Sequence, residues 1–124
     1  EVTVQAMVTQ TAIYNIYMGA VAVTMSSEAL AGVDGMLDIK LDVEYQQEFG
    51  QGFDAMFITS RSQFELSAEG YRNVVLGEEE IGKPAYVFVL TEDGTYRPYM
   101  AQFVSEIGTV TIPFTTYDSY AILY

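Results

Sequence analysis

The chain has 124 residues, a length suited to one domain with one hydrophobic core. Half of its residues are hydrophobic, which argues against a disordered chain, and its 17 acidic residues outnumber five basic ones, which argues against nucleic-acid binding. Cysteine and histidine are both absent, so disulfides, thiol chemistry and the usual histidine general base are excluded.

Strand patterns dominate the first half of the chain. Apolar-rich strands are predicted over residues 2–9, 12–18 and 20–25. A short helical turn is predicted over 27–31, since serine can cap it and Glu-Ala-Leu-Ala can propagate it. The clearest alternation of apolar and charged residues runs from Met36 to Tyr45 and predicts one strand with a dry and a wet face. The polar segment 46–52 is predicted to be a connection.

The second half continues in the same way. Strands are predicted over 53–60, 63–67, 71–76, 109–116 and 120–124, with a surface loop over 77–84. A hairpin is predicted over 85–100, with Asp93-Gly94 as a two-residue turn that places Phe88 opposite Tyr99. Its first strand is apolar on both faces and is therefore predicted to be central, whereas Pro98 places the second strand at an edge.

This succession of short strands predicts the fold class. We expect an all-β fold, an immunoglobulin-like β-sandwich of about seven to nine strands with one short helical turn. Residues 1–124 are predicted to form a single domain. Because the first residue is Glu1, we expect a domain excised from a larger protein or a processed chain. No apolar run approaches the roughly 18 residues of a membrane helix, so no membrane insertion is expected. The net charge of −12 predicts a monomer.

Three stretches together resemble a known class of modules. VAVTMSSEALAGVDGMLDIKLDV is similar to a strand–turn–strand unit, KPAYVFVLTEDGTYRPY to a hairpin with an acidic-Gly turn, and FTTYDSYAIL to a closing strand. In this order, over about Val21 to Leu123, they resemble the β-sandwich modules of secreted and surface-attached proteins of Gram-positive bacteria. The resemblance implies a non-catalytic module with a spacer, adhesion or carbohydrate-associated role. We therefore expect an extracellular or cell-surface accessory module that acts as a structural spacer, in adhesion or in protein interaction. Its implied partners are the neighbouring domains of the same polypeptide.

The inventory of reactive side chains predicts neither catalysis nor a cofactor. No Ser–His or Cys–His arrangement can form, and Lys40 and Lys83 are best explained as solvated lysines. The carboxylates around Asp34 and Glu79 lack the dense spacing of a calcium loop, so no metal site is predicted. We therefore expect a protein that is not an enzyme.

Tyrosine is the main candidate functional residue. Aromatic rings stack on sugar rings while polar neighbours bind the hydroxyl groups, so the alternative function is a carbohydrate-binding module with a tyrosine platform on one sheet. The candidate ligand-binding residues are Tyr96, Arg97 and Tyr99 on the hairpin and Tyr117 and Asp118 at the bend before the last strand. The last two are predicted to be a surface pair. For each single tyrosine, a core or sheet-rim position is the competing interpretation. A protein or glycan ligand is thus the expected external partner.

Overall fold

The computed structural model describes residues 2–3, 13–31, 33 and 36–124. The strands are β1 (Val2–Thr3), β2 (Ile13–Met18), β3 (Val21–Ser26), β4 (Met36–Leu37), β5 (Leu41–Gly50), β6 (Phe53–Ser60), β7 (Glu65–Val75), β8 (Pro84–Leu90), β9 (Tyr96–Phe103), β10 (Thr109–Thr116) and β11 (Tyr120–Leu123). A single 3-10 turn, Glu78–Glu80, is the helical element within these ranges. In the part of the chain so described, no helix is long and apolar enough to cross a membrane. The rest of the predicted strand over 2–9 lies outside the described residues.

The chain divides into two compact units. The first takes in Glu1–Lys40, Ser60–Val75 and Thr111–Tyr117, and the second takes in Leu41–Thr59, Leu76–Val110 and Asp118–Tyr124. The four-stranded sheet has the order β10-β7-β3-β2, the five-stranded sheet has the order β5-β6-β11-β8-β9, and β1 pairs with β4. Antiparallel sheets of four and five strands confirm the predicted all-β sandwich class. That residues 1–124 form one domain stays a prediction.

In the first unit, the four-stranded sheet has a dry face built by period-two alternation. Val21, Val23 and Met25 of β3 are buried, and the residues between them are half-buried. Strand β7 joins the two strands predicted over 63–67 and 71–76 into one, and it passes through Gly70. A Cβ at that position would lie 3.0 Å from the carbonyl oxygen of Thr24 on β3. Glycine therefore lets the two strands approach closely.

A buried arginine lies within this unit. The guanidinium carbon of Arg72 is 4.4 Å from the ring centroid of Tyr117 and 5.3 Å from that of Phe114, and both Arg72 and Tyr117 are fully buried. The Tyr117 ring also stacks on Phe64 at 4.6 Å, and its hydroxyl donates a hydrogen bond of 2.5 Å to the carbonyl oxygen of Ile39. These contacts combine a cation–π interaction with aromatic packing. We call Phe64, Arg72, Phe114 and Tyr117 the arginine cluster.

The arginine cluster corrects one prediction. Burial raises the pKa of Tyr117 to about 12, with the nearby charge of Arg72 lowering it and that of Asp38 raising it. Tyr117 is thus a neutral core residue, and its predicted surface position is wrong. A position at the bend before the last strand favours exposure, but Phe64 and Arg72, which pack against the ring, come from distant parts of the sequence.

The strand predicted from Met36 to Tyr45 is interrupted. Strand β4 ends at Leu37 and β5 begins at Leu41, because the Asp38 carboxylate accepts a hydrogen bond of 3.2 Å from the backbone N–H of Lys40. The Ser62 hydroxyl donates a further bond of 2.9 Å to the Asp38 carbonyl oxygen. Beyond this break, β5 continues to Gly50 through most of the segment predicted to be a loop.

The segment 27–31 forms hydrogen-bonded turns without a helix. Its start resembles a helical N-cap, since the Ser26 hydroxyl accepts a bond of 3.0 Å from the N–H of Ala29, and the N–H of Leu30 donates to the Ser26 carbonyl at 3.3 Å. The helical turn of the described chain is instead Glu78–Glu80, within the stretch predicted to be a surface loop.

In the second unit, the predicted hairpin is present but its turn is one residue longer. The N–H of Gly94 donates to the Thr91 carbonyl at 3.0 Å and the N–H of Thr91 to the Thr95 carbonyl at 2.9 Å, with Gly94 at φ +84°. This is a three-residue loop closed by a left-handed glycine, which shifts the pairing so that Leu90 faces Tyr96. The predicted two-residue turn and the pairing of Phe88 with Tyr99 are therefore wrong. Strand β8 is central and β9 is an edge strand, as predicted.

The turn of this hairpin is held by one carboxylate. The Asp93 Oδ1 accepts hydrogen bonds from the Thr91 hydroxyl, the Thr95 hydroxyl at 2.6 Å and the Thr95 N–H at 3.0 Å. These donors stabilise the ionised form and lower the pKa of Asp93 to about 2, with the Thr91 hydroxyl as the largest cause.

A carboxyl ¹³C NMR titration should show this effect directly. We expect Asp93 to titrate near pH 2 in the wild type and closer to 3.8 in Thr91→Val, which lacks the strongest donor. The folded-state pKa is depressed, so the stabilisation of the turn is present above pH 3.8 and is lost as the pH falls through about 2. A wild-type midpoint near 3.8 would show that the turn does not hold this carboxylate.

Candidate functional site

The site begins with a row of side chains across the five-stranded sheet. Phe57 on β6 pairs with Ala121 on β11, Ala121 pairs with Phe88 on β8, and Phe88 pairs with Pro98 on β9. Residues paired directly across antiparallel strands point to the same face. A small alanine on the central strand is therefore flanked by a phenylalanine on each side, which leaves a hollow in this face of the sheet.

The hollow is an apolar cavity with a second one beside it. The first has a volume of about 200 Å³ and is lined by Phe49, Phe57, Phe88, Tyr96, Ala121 and Leu123. The second has a volume of about 250 Å³ and is lined by Phe49, Gly50, Gln51, Phe53 and Leu123. Since Phe49 and Leu123 line both, the two cavities adjoin, and we call them together the aromatic groove. The Tyr96 hydroxyl is the one polar side-chain group among the residues that line the first cavity.

The rings around the first cavity stand at steep angles to one another. The Phe57 ring lies 5.8 Å from that of Phe49, at 66°, and 6.0 Å from that of Tyr96, at 59°. Beyond them, the Phe53 ring meets that of Tyr86 at 5.7 Å and 79°. The Phe49–Phe57 and Phe53–Tyr86 contacts are edge-to-face, an arrangement that is favourable for aromatic pairs.

The aromatic groove is open, whereas the other face of the same sheet is buried. Phe49 is 48% exposed and Tyr96 is 40% exposed. On the opposite face, Met56, Ile58 and Ile122 are fully buried. Monomeric proteins seldom leave a contiguous aromatic surface open unless it contacts a partner or ligand. The groove is therefore the candidate functional site.

The structure does not bring the three candidate residues of the hairpin together. The ring of Tyr96 faces the aromatic groove. Tyr99 lies at a bulge in the pairing of β8 with β9, and its ring is 5.3 Å from that of Tyr120. Tyr120 pairs with Ile58 and Val89, so it lies on the face of the sheet opposite the groove. Arg97 pairs with Val89 and is largely exposed. Tyr96 and Tyr99 thus lie on opposite faces of one sheet and do not form a common platform.

The other two predicted site residues lie outside the groove. Tyr117 is buried in the arginine cluster, and Asp118, in the connection between β10 and β11, is half-buried. Of the five candidates, Tyr96 is the one that lines the groove.

Sequence reasoning missed most of the groove residues. The last strand, Tyr120–Leu123, is apolar on both sides, a pattern that predicts insertion between neighbouring strands, and β11 does lie between β6 and β8. The pattern does not reveal that Ala121 and Leu123 line a cavity on one face of the sheet. A usable signal was the alanine itself, since a small residue in a central aromatic strand leaves space beside its neighbours.

A third cavity of this unit is polar. It has a volume of about 250 Å³ and is lined by Tyr45, Gln46, Gln47, Asp54, Ala55, Leu76, Glu79, Glu80 and Tyr124. Burial, followed by the charges of Asp54 and Glu80, raises the pKa of Tyr124. The Glu80 carboxylate is 3.0 Å from the ammonium group of Lys83. Within the described ranges, no three acidic side chains come together in a geometry that could hold a metal ion.

The charge of the chain is concentrated in the unit that carries the aromatic groove. In this unit eleven acidic side chains oppose two basic ones, a formal charge of −9, whereas six oppose three in the first unit, a formal charge of −3. Both basic side chains of the second unit already lie near one of its carboxylates, Lys83 at 3.0 Å from Glu80 and Arg97 at 3.5 Å from Asp93. The aromatic groove is thus carried by the more acidic of the two units.

No family model, curated protein or solved structure matches the chain.

Proposed function

We propose that the chain is a non-catalytic accessory module of a bacterial secreted or cell-surface protein, and that it binds a polypeptide partner through the aromatic groove. The observation that carries this proposal is the apolar cavity above Ala121, between Phe57 and Phe88, with its exposed rim of Phe49 and Tyr96. The extracellular setting rests on the resemblance to Gram-positive surface modules. The partner is a neighbouring domain or a separate protein in adhesion.

The chemistry of the groove supports a polypeptide more than a sugar. Sugar recognition needs polar groups that hydrogen-bond the hydroxyls around a stacking ring. Among the residues that line the first cavity, the Tyr96 hydroxyl alone is a polar side-chain group. Apolar side chains of a protein fill such a space without leaving polar groups unpaired.

Carbohydrate binding remains the second candidate function. It is favoured by Tyr86 and Tyr96, each 40% exposed and both directed to the groove face by their pairing. Their rings are available for stacking, and the Gln51 side chain beside Phe53 could supply a hydrogen bond. This version of the platform differs from the predicted one, because Tyr99 is replaced by Tyr86.

An array of surface polypeptides and soluble polysaccharides tests the proposal. We expect the pure protein to bind polypeptides on the array. Tyr96→Ser should weaken this binding about tenfold, because it removes one wall of the groove. The matched control is Tyr17→Ser on β2, where the ring is 79% exposed and belongs to the other sheet. Retention of polysaccharides alone would transfer support to the second candidate, and turnover of a glycoside or peptide by the pure domain would contradict a non-catalytic module.

A further inference from the structure

We infer that the segment bound in the aromatic groove is an extended, basic stretch of polypeptide that inserts two large apolar side chains. This inference rests on the proposed function and adds the chemistry of the partner. It draws on two independent observations, which are the division of the groove into two adjoining cavities and the net negative charge of the unit that carries it.

The two cavities set the apolar part of the segment. Each has a volume of 200 to 250 Å³, which accommodates one large apolar or aromatic side chain, and they share the walls Phe49 and Leu123. In an extended chain, residues i and i+2 point to the same side, about 6.5 Å apart. A segment with two apolar residues at that spacing therefore places one side chain in each cavity.

The charge of the unit sets the polar part of the segment. With a formal charge of −9 in this unit, an acidic segment is repelled and a basic one attracted over the Debye length of about 8 Å at physiological salt. Lys83 and Arg97 already lie close to carboxylates of the unit, so they give an acidic partner little compensation. Residues between and beside the two apolar ones are therefore lysine or arginine.

A second copy of this chain does not fit that description. Its own net charge is −12, so its approach to the acidic unit is unfavourable. The edge strand β2 offers a different docking place, because Ile13 is 69% exposed and Tyr17 is 79% exposed there. No charge lies within that strand, so binding by strand addition at β2 would not select basic peptides.

Synthetic heptapeptides test the inference. The probe is an acetylated and amidated peptide of five lysines with phenylalanine and leucine at its third and fifth positions. One control peptide has glutamate in place of every lysine, and another has serine in place of the two apolar residues. Binding is followed by ¹⁵N NMR titration up to about 1 mM peptide, the range in which a few buried side chains give measurable affinity.

Variants of the protein locate the binding. Ala121→Leu fills the hollow between Phe57 and Phe88 without removing a ring, and Tyr96→Ser removes a wall; each is expected to weaken binding at least about tenfold. Tyr17→Ser is expected to leave the affinity within about twofold, because it lies on the other sheet. The double variant Glu48→Gln, Glu92→Gln in the second unit should weaken binding of the lysine peptide more than the double variant Glu28→Gln, Glu65→Gln in the first unit. Added salt should also weaken binding of the lysine peptide several-fold, because it screens the attraction between opposite charges. Retained dispersion of the NMR spectrum confirms that each variant is folded.

The outcomes separate this inference from the proposed function. If the glutamate and lysine peptides bind alike, and both lose binding in Ala121→Leu, the groove is a polypeptide site but the basic segment is wrong. If only Tyr17→Ser loses binding, the segment adds to β2 and the inference is overturned. If no heptapeptide binds while polysaccharides do, both the inference and the proposed polypeptide partner are overturned.

Discussion

Replacing Tyr117 with alanine is expected to lower the free energy of unfolding by about 4 kcal/mol. The ring is fully buried, stacks on Phe64, packs edge-on against Phe114 and lies beneath the guanidinium of Arg72. Its removal leaves a cavity and takes an aromatic face away from a buried cation. Since small domains have a total stability of about 5–15 kcal/mol, this one change should bring the protein close to unfolding. Urea denaturation followed by circular dichroism measures it.

Tyr117→Phe is the matched control for this prediction. It keeps the ring and loses the hydrogen bond to the Ile39 carbonyl, so we expect a cost of about 1–2 kcal/mol. The folded state raises the pKa of Tyr117 from 10.0 to about 12, because burial favours the neutral hydroxyl. The stability that this neutral hydroxyl contributes to the fold is therefore complete below pH 10 and is lost as the pH rises through 12. Equal stability of the alanine and phenylalanine variants would show that the arginine cluster does not support the first unit.

Replacing Gly108 with alanine is expected to lower the free energy of unfolding by about 3 kcal/mol or more. Gly108 has φ +77°, a left-handed conformation that side chains disfavour, and an added Cβ would lie 2.7 Å from the carbonyl oxygen of Gly77. The contact is with backbone that cannot rotate away, because the N–H groups of Leu76 and Gly77 both donate to the Gly108 carbonyl, at 2.8 and 3.1 Å. The substitution should therefore break the connection between β7 and β8.

Gly94→Ala provides the comparison for Gly108→Ala. Gly94 has a similar φ of +84°, but no atom lies within 4 Å of the position of its added Cβ. The cost is then backbone strain alone, about 1–2 kcal/mol. The difference between the two urea midpoints isolates the clash with Gly77, and equal midpoints would refute it.

Alternation of apolar and polar residues predicted most strands because burial of one face is a local property of the sequence. Strands β6, β10 and β11 lie close to their expected ranges, and the edge position of the strand with Pro98 is also correct. The break at Asp38 was not predictable in this way. A side-chain hydrogen bond to the backbone of Lys40 competes there with the sheet, although the pattern of residues continues unchanged.

The candidate site was harder to predict, because it depends on which residues of neighbouring strands pair with one another. Asp93-Gly94 allows both a two-residue and a three-residue hairpin turn, and the choice of the longer one moves Tyr96 to the other face of the sheet. Tyr99, three residues further along β9, lies on the opposite face from Tyr96. The groove further needs Phe57, Ala121 and Phe88 in line across three strands, and such pairing between distant segments is not encoded in any single stretch.

The burial of Arg72 also depends on residues that are distant in the sequence. An arginine in a strand of mixed polarity is expected to reach solvent, and its own neighbours in the sequence gave no reason to place it inside. It is held instead by Phe114 and Tyr117, more than 40 residues further along the chain. Nonlocal aromatic partners can therefore reverse the exposure expected from local composition.

The most direct test of the aromatic groove is an intermolecular NOE experiment on protein with ¹³C-labelled alanine methyl groups. With the lysine-rich heptapeptide bound, the Ala121 methyl group should show NOEs to the peptide phenylalanine ring, because this alanine forms the floor of the first cavity. Ala22 on β3, in the other sheet, should show none. NOEs from Ala22 but not from Ala121 would contradict binding in the groove.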